Sequence, residues 1–146
     1  MKQIDETKLV MSRTFNVDQQ RLFEAWSNPA IMEKWFFPFG EGGYAEVEHN
    51  FTVGGEYTID MYEPSGEKWQ QTGEYREIRP YDKIVFSWIA TEEKETVVTL
   101  EFNPVEEGTE LTLTHEFLPT AQSTQRHAEG WEGCFASLER QLVVKA

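Results

Sequence analysis

Hydrophobic and polar residues alternate along most of the chain, and this period of two predicts a series of β-strands. The alternating segments are Lys8–Phe15, Tyr44–Phe51, Tyr57–Met61, Trp69–Ile78, Ile84–Trp88, Val97–Phe102 and Leu111–Phe117. Turn-forming residues, mostly Gly, Pro, Asp and Glu, separate them from Gly54 onward. Strands at a spacing of roughly ten residues, joined by tight turns, indicate an antiparallel meander.

Two short helices are predicted after the first strand. Asp18 is a suitable N-cap for a helix that runs to about Trp26. Asn28 then provides a second capping residue, followed by a proline at the first helical position, for a helix that runs to about Trp35. We therefore expect two helices of about one and a half to two turns each between the first strand and the meander.

The period of the hydrophobic residues changes to that of a helix near the C-terminus. No proline interrupts Ala121 to Val144, and the apolar positions fall on one side of a helix. That side consists of His127, Trp131, Cys134, Phe135, Leu138 and Leu142. The patterns together predict a single α+β domain over residues 1–146, in which a curled antiparallel sheet of about six or seven strands wraps around this long helix.

Composition and charge exclude several classes of partner. The 146 residues include 26 acids and 13 Lys or Arg, which gives a net charge of -13. Nucleic-acid phosphates and anionic membrane surfaces are both disfavoured by this sign, so we expect neither as a partner. The single cysteine excludes a disulfide framework. The acidic start of the sequence has no apolar segment typical of a signal peptide, so we expect a cytoplasmic protein.

Several motifs, read in chain order, resemble a known family. They are Ala25-Trp26, Asn28-Pro29, Trp35-Phe36-Phe37-Pro38, Val53-Gly54-Gly55-Glu56-Tyr57, Gly73-Glu74-Tyr75-Arg76-Glu77-Ile78, Asp82-Lys83-Ile84-Val85-Phe86-Ser87-Trp88, Val97-Val98-Thr99-Leu100-Glu101-Phe102, Gly108-Thr109-Glu110-Leu111-Thr112-Leu113-Thr114-His115 and His127-Ala128-Glu129-Gly130-Trp131. The sequence is similar to START-like (SRPBCC) domains, in the branch of bacterial single-domain proteins that resemble the C-terminal domain of the activator of heat-shock-protein-90 ATPase. This resemblance implies the helix-grip fold and suggests ligand binding or a role beside chaperones.

The aromatic residues are the main candidates for a binding site. They make up 14% of the chain, and the resemblance implies a cavity between the sheet and the C-terminal helix. We predict that an apolar or aromatic ligand, or a lipid, binds there, because ligand sites are mostly apolar with a few converging polar groups. The predicted polar contacts are His115, Tyr75 and Trp131. The full predicted set is Trp35, Phe37, Tyr57, Ile59, Met61, Trp69, Tyr75, Phe86, Trp88, Leu113, His115, Phe117, His127, Trp131 and Phe135.

No arrangement of residues in the sequence points to catalysis, a metal or a cofactor, and we expect none of the three. His115 and His127 could approach each other across the cavity with Glu77, but partly buried histidines with one hydrogen-bond partner are the favoured interpretation. Cys134 lies on the apolar side of the long helix, where a thiol is expected to be inert. A cyclase-like or hydrolase-like enzyme would need a polar group with a perturbed pKa in the cavity.

The aromatic run from Trp35 to Phe39 leaves three interpretations open. It precedes a glycine-rich loop, so it could form a lid over the cavity or an exposed patch for a chaperone or another protein partner. Packing against the long helix is the favoured interpretation. The oligomeric state, monomer or homodimer, stays open at this stage.

Overall fold

The computed structural model describes residues 2–89 and 94–144, and contains strands and helices in the order that the sequence predicts. The elements are β1 (Lys2–Ile4), β2 (Lys8–Phe15), α1 (Gln19–Ser27), α2 (Pro29–Met32), β3 (Tyr44–His49), β4 (Glu56–Tyr62), β5 (Lys68–Arg79), β6 (Lys83–Ile89), β7 (Glu95–Val105), β8 (Gly108–Glu116) and α3 (Ala121–Val144). The predicted α+β class with a long C-terminal helix is confirmed.

One antiparallel sheet contains all the strands of the described residues, in the order β1-β2-β8-β7-β6-β5-β4-β3. Its seven longer strands are those that alternation predicts, and β1 is a three-residue addition at the edge. The two short helices carry the chain from β2 to β3, which lies at the opposite edge. The sheet curls so that one side of every strand from β2 to β8 contributes to a core that also includes α3.

Capping explains where the first two helices begin. The Asp18 side chain accepts a hydrogen bond of 2.8 Å from the Arg21 backbone N–H, and Asn28 accepts one of 3.0 Å from Ala30. The second helix ends at Met32, three residues earlier than predicted. The chain continues in tight turns, in which the N–H groups of Trp35 and Phe36 still bond to the Met32 carbonyl.

A β-bulge changes which residues of β5 face the core. Tyr75 pairs with Phe86 and Glu77 pairs with Val85, so the register shifts between the two pairs. Beyond this bulge Glu77 forms ion pairs with Arg79 and Lys83 on the outer side of the sheet. The bulge therefore removes Glu77 from the space where it could have met the two histidines.

Phe117 corrects the predicted set of inward residues. Alternation along β8 buries Leu113 and His115 and would place Phe117 next on the same side. The strand ends at Glu116, however, and Phe117 has a φ of 69° and is 66% exposed. The prediction that Phe117 faces inward is therefore wrong, because the left-handed backbone turns its side chain out of the alternation.

Candidate ligand-binding site

An open pocket lies between α3 and the sheet, and we call it the α3 pocket. Its volume is about 390 Å³, within the range of about 300–1,000 Å³ that is typical of small-molecule sites. Strands β4, β5 and β6 form one wall, α3 forms the other, and the segment after α2 closes one side. The lining residues are Pro38, Phe39, Met61, Trp69, Trp88, Arg126, His127, Gly130, Trp131 and Cys134.

Local sequence explains why the space exists at this place. Met61 and Trp69 are register partners on β4 and β5, so their side chains project from the same side of the sheet. Gly130 and Cys134 are four residues apart on α3 and therefore lie on one face of the helix. A Cβ atom added at Gly130 would have no heavy atom within 4 Å, so small side chains on the helix leave this part of the interface unfilled.

The indole N–H of Trp88 is the unusual polar group of this pocket. Trp88 is 7% exposed, and its Nε1 has no hydrogen-bond partner within residues 2–89 and 94–144. Trp35 donates to the Ala25 carbonyl at 2.9 Å, and Trp69 donates to Glu63 Oε2 at 2.7 Å. A buried donor without an acceptor is costly, so Trp88 marks a place where an acceptor would stabilise the protein.

His115 and Trp131 form a closed hydrogen-bond network beside the pocket. Trp131 donates from Nε1 to Nδ1 of His115 at 3.1 Å, which places the proton of the neutral imidazole on Nε2. That nitrogen donates to Thr96 Oγ1 at 2.7 Å, and the Thr96 hydroxyl donates to the Trp88 carbonyl at 2.7 Å. Burial, with a contribution from the neighbouring His127, lowers the pKa of His115 to about 3. The network leaves neither ring nitrogen of His115 available to a ligand.

The centre of the core holds only a small space, which we call the interior void. Its volume is about 10 Å³, roughly the room that one water needs. Its lining residues are Trp26, Phe36, Tyr57, Ile59, Tyr75, Ile84, Phe86 and Leu100. Tyr57 donates to the Ser87 carbonyl at 2.6 Å, and the Tyr75 hydroxyl bonds to His49 Nδ1 at 2.8 Å. The tyrosines are therefore satisfied by the protein itself.

The predicted site residues divide into groups in the structure. Those that line the α3 pocket are Met61, Trp69, Trp88, His127 and Trp131. Those that line the interior void are Tyr57, Ile59, Tyr75 and Phe86. Those that are buried in the core apart from both spaces are Trp35, Phe37, Leu113, His115 and Phe135. The three predicted polar contacts, His115, Tyr75 and Trp131, all have partners inside the protein.

The aromatic run after α2 packs into the protein, and Phe36 contacts Trp131 of the long helix at a ring-centroid distance of 6.0 Å, as the favoured interpretation has it. Trp35, Phe36 and Phe37 are 0%, 1% and 6% exposed. Trp35 and Phe36 stack at a centroid distance of 4.8 Å, and both rings contact Trp26. The end of the run is half-buried, where Phe39 reaches the α3 pocket. The first three rings therefore form no exposed patch.

Several pocket residues were not among the predicted site residues. They are Pro38, Phe39, Arg126, Gly130 and Cys134. The pair of small residues on the apolar side of α3 was the signal for two of them, because small side chains widen a sheet–helix interface. Arg126 had no such signal, since the helical period places it beside the apolar face.

The titratable groups give little sign of other chemistry. Burial raises the pKa of the Cys134 thiol, as expected for an inert cysteine. In the part of the chain that the structure covers, no three metal-ligating side chains converge. Among those same residues, every helix is too short or too polar to cross a membrane.

Comparisons with known proteins agree with this architecture. The model of the family described as Activator of Hsp90 ATPase homolog 1-like protein matches residues 16–142. A search of curated proteins found no match.

Solved structures of several bacterial proteins have the same fold. A protein from Rhodobacter sphaeroides is 25% identical, with a TM-score of 0.82 over 99% of both chains. One from Chromobacterium violaceum is 25% identical, with a TM-score of 0.81 over 92% of this chain and 96% of that one. A third, from Silicibacter pomeroyi, is 24% identical, with a TM-score of 0.80 over 95% and 99%. Since the family model covers most of the sequence, the chain belongs to the Activator of Hsp90 ATPase homolog 1-like family.

Proposed function

We propose that the chain binds a small apolar or aromatic molecule in the α3 pocket. Support comes from the size of the pocket, its rings and its position between the sheet and the long helix. Burial of the ligand's apolar surface would drive binding, at about 25 cal/mol for each Å², less the cost of immobilising the ligand. For a ligand of two fused rings we expect a Kd between about 10 µM and about 1 mM.

The single observation that carries this proposal is the unpartnered N–H of Trp88. It belongs to a side chain that is 7% exposed and lines the pocket. Nε1 itself is covered by protein atoms, so an acceptor atom on a bound ligand would satisfy this donor after a small shift of the ring at the pocket wall. Its burial without an acceptor otherwise costs about 1–3 kcal/mol. The proposed orienting group is therefore Trp88, in place of His115, Tyr75 and Trp131.

A titration with a neutral probe tests the proposal. We suggest naphthamide, which combines an apolar ring system with a carbonyl acceptor, followed by tryptophan fluorescence and by native mass spectrometry. The blocking variant is Gly130→Leu, because the added side chain grows into open space in the pocket. The matched control is Gln122→Leu, which adds the same side chain at an exposed position of the same helix.

We expect naphthamide to bind to the wild type and to the Gln122→Leu variant with equal affinity. The Gly130→Leu variant should have a melting temperature at least equal to that of the wild type, because leucine favours the helix, and should lose binding by a factor of at least about ten. Equal binding by all three proteins would place the probe elsewhere and overturn the proposal. The absence of detectable binding to any of them at millimolar probe would overturn it as well.

The other two roles considered receive less support from the described residues. The family description names activation of a chaperone ATPase, but the aromatic run proposed as a chaperone contact begins with three buried rings. An enzyme would need a free acid or base in the cavity, and both ring nitrogens of His115 are already bonded. A small-molecule ligand in the α3 pocket is the role that the geometry supports best.

A further inference from the structure

Charge distinguishes the α3 pocket from the other large grooves of this acidic protein. The groove beside the β3–β4 turn, of about 800 Å³, includes Glu48 and Glu56 in its lining. The groove along β2, of about 510 Å³, includes Glu110 and Glu132. Among the described residues no Asp or Glu lines the α3 pocket, whose one charged lining residue there is Arg126. Of these three spaces, in a sequence with 26 acids and 13 Lys or Arg, the α3 pocket is the one where an anion meets the least repulsion.

Arg126 is also available to a ligand. Arg13, Arg76 and Arg79 each form ion pairs with glutamates. Arg126 is exposed, and across residues 2–89 and 94–144 it takes part in no ion pair. Glu63, which is bonded to the pocket lining, is engaged by the N–H of Trp69. A guanidinium without a partner at the edge of an apolar pocket is suited to a carboxylate, which it binds through two parallel hydrogen bonds.

We propose that the ligand of the α3 pocket is an amphipathic acid, in which an apolar or aromatic body fills the pocket and a carboxylate binds Arg126. This inference rests on the proposed function and adds the chemical class of the ligand to it. His127 lies next to Arg126 in the lining, and burial together with the charge of Arg126 lowers the pKa of its ring, against the opposing effect of the Ser123 carbonyl. Nδ1 donates to that carbonyl at 2.7 Å, so the neutral ring offers only an acceptor, Nε2, to a ligand. The carboxylate contact is therefore assigned to Arg126 alone.

A matched pair of probes tests the class of ligand apart from the pocket itself. Naphthoate and naphthamide have nearly the same shape, but only the first carries a charge at neutral pH. We expect the wild type to bind naphthoate about five- to tenfold more tightly than naphthamide, because a hydrogen-bonded charge pair at the protein surface contributes that much. The preference should shrink in high salt, since an exposed pair is screened.

Two arginine variants on α3 locate the effect. Arg126→Gln should abolish the preference, so that the ratio of the Kd values for naphthamide and naphthoate in this variant falls to about one. Arg140→Gln is the matched control, because it removes one exposed positive charge from the same helix away from the pocket lining. We expect this control to keep the preference within about twofold of the wild type.

The outcomes separate this inference from the proposed function. Naphthamide binding that Gly130→Leu abolishes, with naphthoate no tighter, would overturn the inference and retain the proposed function. An equal loss of naphthoate affinity in both arginine variants would assign the effect to net charge and would also overturn the inference. If neither probe binds the wild type, the proposed function fails and the inference fails with it.

Discussion

The interior void and the α3 pocket are two spaces on the inner side of one sheet, and they differ in size by more than an order of magnitude. The void has a volume of about 10 Å³ and is lined by large aromatic and aliphatic side chains. The pocket has a volume of about 390 Å³, and Gly130 and Cys134 line its helical wall. The comparison shows that aromatic content alone does not make a cavity, because the same ring types fill the core where the facing side chains are large.

Hydrogen bonding of the polar groups also differs between the core around the interior void and the α3 pocket. Most polar atoms of the core rings have partners in the protein, as with Tyr57, Tyr75 and His115. Two tryptophan N–H groups of the described residues lack partners, namely those of Trp26 and Trp88. Trp26 lines the void, which has no room for a ligand, and Trp88 lines the pocket. Trp88 is therefore the buried donor that a ligand in the pocket could satisfy.

The largest expected effect is on stability: a substitution in the packed core should cost much more unfolding free energy than one at the pocket. Trp35 is fully buried, so Trp35→Ala should lower the free energy of unfolding by about 3–5 kcal/mol. Phe39 is half-buried at the pocket, and Phe39→Ala should cost about 1 kcal/mol or less while weakening naphthamide binding. Urea unfolding measures both variants. If Phe39→Ala lowered the free energy of unfolding as much as Trp35→Ala, the distinction between a packed core and an open pocket would be contradicted.

The closed network of His115 predicts a pH dependence of stability. The pKa of His115 is about 3 in the folded protein and about 6.5 in the unfolded chain. Between these values the unfolded chain binds a proton that the folded protein does not, so stability is full above pH 6.5 and falls as the pH decreases. The slope from this one group approaches about 1.4 kcal/mol for each pH unit.

Urea unfolding between pH 6.5 and pH 5 measures this slope, a range above the ordinary pKa of carboxylates. His115→Asn should be less stable than the wild type at neutral pH and should show a shallower dependence on pH. His49 and His127, whose pKa values burial also lowers, remain in both proteins and cancel from the comparison. Parallel slopes in the two proteins would show that His115 becomes protonated without unfolding.

Two tryptophan variants compare a satisfied N–H with an unsatisfied one. Trp131→Phe removes the donor to His115 Nδ1 and leaves that acceptor buried without a partner. Trp88→Phe removes a donor that has no acceptor among the described residues. Both variants lose similar ring area, so Trp131→Phe should cost about 1–2 kcal/mol more than Trp88→Phe. An equal loss of unfolding free energy in the two variants would count against the unpartnered state of Trp88.

The smallest expected effects come from two glycines of α3. A Cβ at Gly133 would lie 2.6 Å from the Pro38 carbonyl oxygen, whereas one at Gly130 would meet nothing within 4 Å. Gly130→Ala should therefore raise stability by about 0.5–1 kcal/mol through helix propensity. Gly133→Ala should lower it, because the clash with the backbone outweighs that gain. Thermal unfolding shows whether each substitution raises or lowers stability. If Gly130→Ala were destabilising, the space next to Gly130 would have to be filled.

Hydrophobic periodicity predicts the fold of this chain well because it reports which side of an element is buried. It predicted the seven longer strands and the bounds of α3. It missed β1, whose three residues are too few to show a period, and it placed Phe117 inward because a change to positive φ leaves no trace in the alternation. The sequence also predicted an α2 that is three residues too long, because the turns after Met32 continue the helical spacing of the hydrophobic residues.

The site was harder to predict because periodicity shows on which side of a strand or helix a residue lies, and not which internal space its side chain reaches. Ile59 and Met61 have the same parity on β4, yet Ile59 lines the interior void and Met61 lines the α3 pocket. Which space a residue reaches depends on the curl of the sheet and on the helix residue opposite, here Gly130. Hydrogen-bond satisfaction, which separates Trp88 from Trp131, depends on tertiary contacts that no local pattern contains.

The indole N–H resonances of the five tryptophans test the central claim most directly, because each ring reports on a different place. Two-dimensional nitrogen–proton spectra recorded during a naphthamide titration, with assignments from single Trp→Phe variants, would follow all of them at once. Binding in the α3 pocket predicts that the signals of Trp88 and Trp69 move, while those of Trp26 and Trp35 stay in place. Movement of the Trp26 signal with Trp88 unchanged would put the ligand in the interior and contradict the account.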